Sequence, residues 1–524
     1  MPDITLTYGC SQTDYIHEII TDDEGSIYSI GGFYDTLYYD STYLSTENYL
    51  DMYIMKRNSE DGVNQWVRNF GGPIWDMAID ICFSPDQEFI YITGFFEQYV
   101  NFDSIELYSY GEIDIFLLKM SVEGELIWAQ NAGGYNNDYG YGIVTDQSGN
   151  IYLTGKFESL DITFASHTIS NKNNASENYL AKYDPDGNVI WVKSFGGYGW
   201  DSSNDLAINS SGQIYICGEY DLEASFDTIQ VIGSYGDLFI AKYDPDGNAT
   251  DVYTAGGIGT AEVYSIAIDQ GDNIYVTGLF TEDISFGNHT IQSIGIEDFY
   301  VSKINPLGYF EWVESAGGDM FNCGYDVCVG AADIIYCTGA LVGTMHIGDT
   351  TIQSLGFSDA FLATYNIDGT LLNIQTVGGS DNDYGDDGRT LSWNGESLIW
   401  GGRFTNSIVL DNKQFISHGG RDVFMVSIHE VISGIHPEPG SENAVTVYPN
   451  PSHGSITVKL NNIVTDNVQV YLHNSIGQLI IMKSIKITRY GHFELSLGNI
   501  HPGIYQLTIV GNKNGYKSTK ILVY

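Results

Sequence analysis

The same phrase returns along this chain every 60 to 63 residues, marked by Gly71-Gly72, Gly133-Gly134, Gly196-Gly197, Gly256-Gly257, Gly317-Gly318 and Gly378-Gly379. Tyr8-Gly9 stands one period earlier as a degenerate seventh mark. After each mark come a polar or acidic loop, an apolar strand, an Asp/Gly turn and a phrase of the type Ile-Tyr-x-Thr-Gly-x-Phe. A variable arm, then Asp-x-Phe-x-x-Lys, a second turn and a strand often bearing Trp complete the unit. Repetition at this period means that each unit is a few strands unable to bury their faces alone, so neighbours must stack.

Residues 256–317 supply four strand candidates, near 263–269, 273–280, 299–304 and 309–316. Both faces of Ile274-Tyr275-Val276-Thr277 are largely apolar or aromatic, whereas a half-exposed sheet would alternate. Sheets stacked between two neighbours bury both faces, which favours a propeller over a sandwich. The last unit has strand candidates near 389–393, 397–404 and 423–429 but no fourth. The spare strand lies at the other end, in Asp3-Ile4-Thr5-Leu6-Thr7-Tyr8. The expectation is an all-β chain: a seven-bladed β-propeller over residues 1–430, closed by this N-terminal strand, which hides the edge strands. A linear solenoid would need polar caps, and neither end supplies one.

The chain carries 67 acidic and 21 basic residues, a formal net charge of -46. Lys and Arg this few and scattered cannot neutralise a phosphate backbone, which excludes nucleic acid as a partner. An anionic membrane surface would repel the chain. No stretch is long enough to span a bilayer. No signal peptide reads at Met1-Pro2-Asp3-Ile4, so the sequence is either cytoplasmic or trimmed to its mature part. Six cysteines are too few for a disulfide scaffold. Cys328 and Cys337 flank a turn centred between residues 332 and 333, and simple hairpin register sets them opposite each other as a candidate disulfide. Two buried free thiols are the alternative.

The strand order places the Gly-Gly loops and the long arms on one face of the ring. There the units differ most. Trp75 with Asp76, Tyr135 with Asp138, and Tyr198 with Trp200 and Asp201 set rings beside carboxylates, as do Phe321 and the pair Asp383 and Tyr384. Such groups suit a sugar, whose face stacks on the ring while its hydroxyls meet the polar groups. The competing reading packs these rings over the blade tops. Calcium is the candidate cofactor: Asp381, Asp383, Asp386 and Asp387 are dense in the oxygen ligands it prefers, although the run departs from an EF-hand loop. Loose cation condensation on an acidic surface is the alternative. Catalytic signatures are missing: there is no Gly-x-Ser-x-Gly elbow and no phosphate-cradling Gly-rich loop followed by Lys. A carbohydrate-active hydrolase, which needs two carboxylates at a set separation, is the runner-up to a non-enzymatic binding module.

After Glu430 the composition changes. Residues 431–441 read as a Pro/Gly/Ser/Glu linker, and residues 442–524 as about seven short strands, the pattern of a small immunoglobulin-like β-sandwich. Tyr448-Pro449-Asn450-Pro451 with Gly454, Val470-Tyr471 through Ile476-Gly477-Gln478, Leu495-Ser496-Leu497 with Pro502-Gly503-Ile504-Tyr505, and Lys520-Ile521-Leu522-Val523 follow in order. This tail resembles the type A C-terminal sorting domain of the Bacteroidetes type IX secretion system. Leu472-His473-Asn474 stands where that family usually has an aspartate. The resemblance implies a folded address that engages the translocon and its shuttle components and carries cargo through the periplasm to the outer-membrane surface or beyond. Such cargo normally starts with a signal peptide, in line with a trimmed sequence.

Ile151-Tyr152-Leu153-Thr154-Gly155, the run from Asp237-Leu238-Phe239 to Asp246-Gly247-Asn248, and Asn188-Val189-Ile190-Trp191 resemble the SBBP family of bacterial β-propeller repeats. That likeness implies the fold but no activity. The reading is therefore a secreted or surface binding module whose ligand is a glycan or an envelope protein. A self-associating structural subunit is the second non-enzyme option.

Overall fold

The computed structural model describes residues 4–40, 42–58, 61–172, 175–379, 385–410 and 413–428, and from there on 445–448, 455–460, 467–474, 479–486, 492–497, 503–511 and 516–523. The chain divides into two compact units, Met1–Ile428 and His429–Tyr524.

The first unit is all-β and forms a β-propeller. In one repeat, Ala261–Ile268, Ile274–Phe280, Asp298–Ile304 and Phe310–Gly317 pair antiparallel in sequence order. The second and third strands are buried along their whole length. That is why Ile-Tyr-Val-Thr does not alternate: neighbouring sheets cover both faces. The threonine of the phrase has a definite task. Thr277 Oγ1 donates to the Tyr300 carbonyl at 2.8 Å, and Thr93, Thr154 and Thr338 make the same bond to Phe116, Tyr179 and Phe361. A buried hydroxyl is thereby satisfied inside the sheet.

The Gly-Gly mark also has a physical cause. The third strand of each repeat opens on a buried carboxylate, and the first glycine leaves room for it. A Cβ on Gly71, Gly133, Gly256, Gly317 or Gly378 would lie 1.9–2.2 Å from the carboxylate of Asp51, Asp114, Asp237, Asp298 or Asp359. At the degenerate mark, Gly9 faces Asp422 at 2.1 Å. The second glycine lies against backbone: its Cβ would meet the carbonyl of Tyr99, Asp161, Glu223, Asp283, Thr344 or Ser407.

Those carbonyls belong to the variable arm of the next repeat. The arms fold as hairpins, for instance Asp161–Phe164 with His167–Ser170, and each turns back onto the sheet before its own. Thr163 pairs with Gly133, Ser225 with Gly196, Ser285 with Gly256, and His346 with Gly317. Single bridges join Gly71 to Asn101 and Gly9 to Tyr38. Successive repeats are thus strapped to one another.

The N-terminal strand Thr5–Tyr8 pairs antiparallel with Lys413–Ile428, from Thr5↔Val426 to Tyr8↔Val423, in one sheet with Leu398–Leu410 and Asp387–Trp393. Asp3 lies outside the described residues. The cysteine expectation needs correction. Val327 pairs with Cys337, and Cys328 with Tyr336, so Cys328 and Cys337 project to opposite faces, and all six cysteines are free. The connection sets this register: Val329 pairs with Ile335 around the 3-10 turn Ala331–Asp333, one residue away from the simple hairpin register.

The second unit holds a three-stranded sheet (Val445–Tyr448, Ser455–Leu460, His492–Ser496) and a four-stranded one (Leu479–Lys486, Asn467–Asn474, Gly503–Gly511, Tyr516–Val523). Alternate residues such as Ile456 and Val458, and Val470 and Leu472, are buried, giving each sheet one apolar face.

Buried carboxylates set an unusual pH response. Burial pushes Asp114, Asp201 and Asp386 up to about 7 and Asp138 up to about 6. An unfolded aspartate titrates near ~3.9. The folded chain therefore holds more protons between these values. Their contribution to stability is full below the unfolded value and is lost as the pH rises through the folded ones. We expect the melting temperature to rise as the pH falls from 8 to 5. A melting temperature that stays flat or falls over that range would contradict this assignment.

Candidate binding face and central channel

The sequence-derived aromatic residues divide into two groups. The rings of Trp75, Tyr135, Tyr198 and Trp200 are 47, 81, 63 and 64% exposed, so they do not pack over the sheets. No aromatic contact joins these four to one another among the described residues. The loops bearing Trp75 and Trp200 stand two repeats apart. Each is fixed through its backbone, Trp75 by a parallel bridge to Leu50 and Trp200 by one to Ser176. Phe321 is half-buried and bridges Glu297 in the same way.

The carboxylates beside them are structural. Asp76 Oδ2 accepts the Gly72 amide at 2.6 Å, and Asp201 Oδ2 accepts that of Gly197 at 2.6 Å. Asp138 accepts the Glu158 and Ser159 amides and the Ser159 hydroxyl. All three are buried. They lock the Gly-Gly loops that present the rings, rather than pointing outward with them.

Asp381, Asp383 and Tyr384 lie outside the described residues. Of the other two candidate calcium ligands, Asp386 accepts the amides of Gly379 and Thr405. Asp387 is buried and paired with Arg389 and Arg403. Burial alone would raise the Asp387 carboxyl, but the two guanidiniums hold it well below the usual range. No group of three or more His, Cys, Asp or Glu side chains with metal-holding geometry occurs among the described residues.

Sequence reasoning missed the central channel. Every first strand carries a one-residue bulge, as between Ile16 and Glu18, Ala78 and Asp80, or Gly388 and Thr390. A bulge re-aims the inserted side chain. The inserted residues His17, Ile79, Tyr141, Asn204, Tyr264, Tyr325 and Arg389 all line a cavity of ≈ 290 Å³. Its floor is a belt at the next position along five of these strands: Glu18, Asp80, Asp205 and Asp326, with Ser265. A second cavity of ≈ 380 Å³, walled by Ile20, Phe83, Ile268 and Val329 among others, lies beyond that belt.

The belt hydrogen-bonds from strand to strand. Asp80 accepts the Ile143 amide at 2.6 Å, Asp205 that of Ile266 at 2.9 Å, Asp326 that of Leu391 at 2.6 Å, and Thr390 Oγ1 that of Ile19 at 3.0 Å. Burial raises all four carboxyls, and their mutual repulsion adds to it in Glu18, Asp80 and Asp205. One signal could have revealed the channel: His17, Tyr141, Asn204, Tyr264, Tyr325 and Arg389 recur two to three positions after their first strands begin, where an apolar residue is expected, with Ile79 as the exception.

Comparison with known proteins now decides what kind of chain this is. Residues 446–524 match the family described as a secretion system C-terminal sorting domain. Residues 127–156 match a β-propeller repeat family, SBBP. The chain joins an SBBP-type β-propeller repeat to a type IX secretion sorting domain. It is an extracellular or surface-exposed module exported by that system, and its C-terminal domain addresses it to the translocon. Of the sorting-signal residues, Tyr448 lies in Val445–Tyr448, and Gly503 and Tyr505 lie in Gly503–Gly511, with Tyr505 buried. Pro449, Asn450, Pro451, Gly454, Gly477 and Pro502 lie outside the described residues.

Two curated relatives are similar over part of their length. A WD repeat-containing protein of Acanthamoeba polyphaga mimivirus is 24% identical over 238 residues, covering 38% of this chain and 17% of that protein. The regulatory protein FlaEY of Caulobacter vibrioides is 28% identical over 212 residues, covering 39% of this chain and 22% of that protein. The chain thus spans about a fifth of the length of these relatives. A solved protein of unknown function from Bacteroides thetaiotaomicron aligns over 82% of this chain and 98% of its own, at 9% identity and a TM-score of 0.23, too low to carry an argument.

Proposed function

We propose that this chain is a seven-bladed propeller over residues 1–430 that acts, after export, as a non-enzymatic binding module. A linker over 431–441 and an immunoglobulin-like sandwich over 442–524 complete it. The ligand is a glycan or an envelope protein. One observation carries the reading: exposed Trp75, Tyr135, Tyr198 and Trp200 ride on loops whose backbones are fixed by buried aspartates. Rings held open in water at a hydrophobic cost have a use for that exposure, and rigid loops on a closed scaffold are where binding residues concentrate. Supporting the blade count, the amides and side chains of the first strands link repeat to repeat around the channel.

The test is a glycan array with the purified chain, with and without calcium, repeated with Trp75→Ala and Trp200→Ala. We expect selective glycan retention that drops at least tenfold in one or both variants. Binding that survives both substitutions removes this face, and sugar release during incubation overturns the non-enzymatic reading in favour of a hydrolase.

A further inference from the structure

The whole chain has six arginines, and three of them, Arg389, Arg403 and Arg421, meet on one side of the channel mouth. Arg403 pairs opposite Asp387 and Arg421 opposite Thr405 in the same sheet. Asp387 is shared: it accepts Arg389 Nη2 at 2.8 Å, and Arg403 Nε and Nη2 at 3.0 and 2.6 Å. One carboxylate under two guanidiniums leaves positive charge in excess. Burial and then the neighbouring Arg403 depress Arg421, as expected for a third cation at the same spot. In a chain of net charge -46 this concentration is a local reversal of sign.

Arg389 reaches into the cavity. Its guanidinium lies 3.9 Å from the centroid of the Tyr325 ring, which in turn touches Tyr264 at 5.8 Å. Arg389 commits Nη2 to Asp387, while its Nε has no partner among the described residues. The other wall carries Tyr141, stacked on Tyr139 at 5.7 Å, with Lys156 over the Tyr139 ring. His17 is held neutral by burial and by Arg389 and Arg403, with its pKa lowered to about 3. Of the floor carboxylates, Asp80, Asp205 and Asp326 spend both oxygens on backbone amides, while Glu18 gives Oε1 to the Ile19 amide and the Thr390 hydroxyl.

We propose that the channel mouth binds the terminal acidic sugar of a glycan, with the sugar carboxylate on Arg389 and the pyranose ring against Tyr325 and Tyr264. A guanidinium is the side chain suited to a planar carboxylate, and Tyr325 and Tyr264 offer stacking faces, the Tyr264 hydroxyl being committed to Glu262. The cavity sits at the small end of ligand pockets, which start near ~300 Å³, so it admits a chain end rather than the middle of a polymer. This assignment rests on the glycan-binding reading above and adds to it a second place and a charge requirement.

The experiment is calorimetric titration of the full chain with tetragalacturonate and with its methyl ester, in which each carboxylate is capped by a methyl group and uncharged. We expect the acid to bind at least tenfold more tightly than the ester. Arg389→Met should abolish that difference, and Arg389→Lys, which keeps the charge but loses the fork, should restore part of it. If Arg389→Met does not fold, as judged by its melting transition, Arg389→Lys alone carries the comparison. Equal affinity for acid and ester, undiminished binding in the folded variants, or no binding of tetragalacturonate overturns the proposal. In each of those cases array binding sensitive to Trp75→Ala or Trp200→Ala leaves the wider reading standing.

Discussion

Deleting residues 1–8 lowers the melting temperature of the propeller unit by about 10 °C. The strand Thr5–Tyr8 supplies four backbone pairings to Lys413–Ile428, flanked by a two-way bond between Ile4 and Ser427. Ile4 and Tyr8 are buried, and Tyr8 lies under the Arg57 guanidinium and hydrogen-bonds Tyr53 in the next sheet. Burial of side chains of this size contributes about 1.5–3 kcal/mol each, so the strand as a whole is worth about 5 kcal/mol. For a unit of several hundred residues each kcal/mol moves the midpoint by about 2 °C. Removal also bares an edge of paired-length strand, so the truncated chain should associate through it. Thermal unfolding and size-exclusion chromatography check both effects. An unchanged midpoint in a monodisperse sample would refute the role given to this strand.

The second large effect comes from Gly317→Ala. Its Cβ would sit 1.9 Å from Asp298 Cγ. Asp298 cannot step aside, because its Oδ2 accepts the Ile294 amide at 2.6 Å and its Oδ1 that of Gly318 at 3.3 Å. Overpacking a rigid site usually costs about 1–3 kcal/mol, and a clash against a fixed buried carboxylate belongs at the top of that range. Asp298→Ala should destabilise as well, by freeing the buried Gly318 amide and the partly buried Ile294 amide. The double variant should cost at least about 1 kcal/mol less than the sum, because the added methyl then finds the space the carboxylate left. Strict additivity in denaturant midpoints would show that the glycine serves the backbone alone.

The ring was legible because its signals are local. Gly-Gly, the Asp/Gly turns and Ile-Tyr-x-Thr-Gly each lie within a few residues, and each answers to a contact inside one repeat or at its immediate seam. The same spacing located the spare strand at residues 3–8, whose described part pairs where the missing fourth strand would stand. The arms were not legible. Their partners are the two glycines of the preceding sheet, which offer only backbone, so no side-chain pattern announces the pairing. The loop aromatics could be read as exposed from their variability, yet the adjacent aspartates were misassigned to the same outward face. A carboxylate that binds the amide four residues back, as in Asp76 and Asp201, or amides about twenty residues on, as in Asp138, looks in sequence identical to one that faces water. The arginine cluster was hidden for another reason. Residues 389, 403 and 421 are far apart in a chain dominated by acid, and only hairpin register brings them together.

The position of Lys413–Ile428 bears on how this protein would carry load. It is the last strand before the sorting unit, and it is not an edge: Leu398–Leu410 borders it on one side and Thr5–Tyr8 on the other. Tension drawn through the C-terminal part of the chain therefore enters the ring along an interior strand. When the pull runs along that strand, its hydrogen bonds lie across it, so many must fail together instead of one after another. A tether leaving from an outermost strand would peel. A strand with partners on both sides makes that point of attachment a lap joint rather than a zipper.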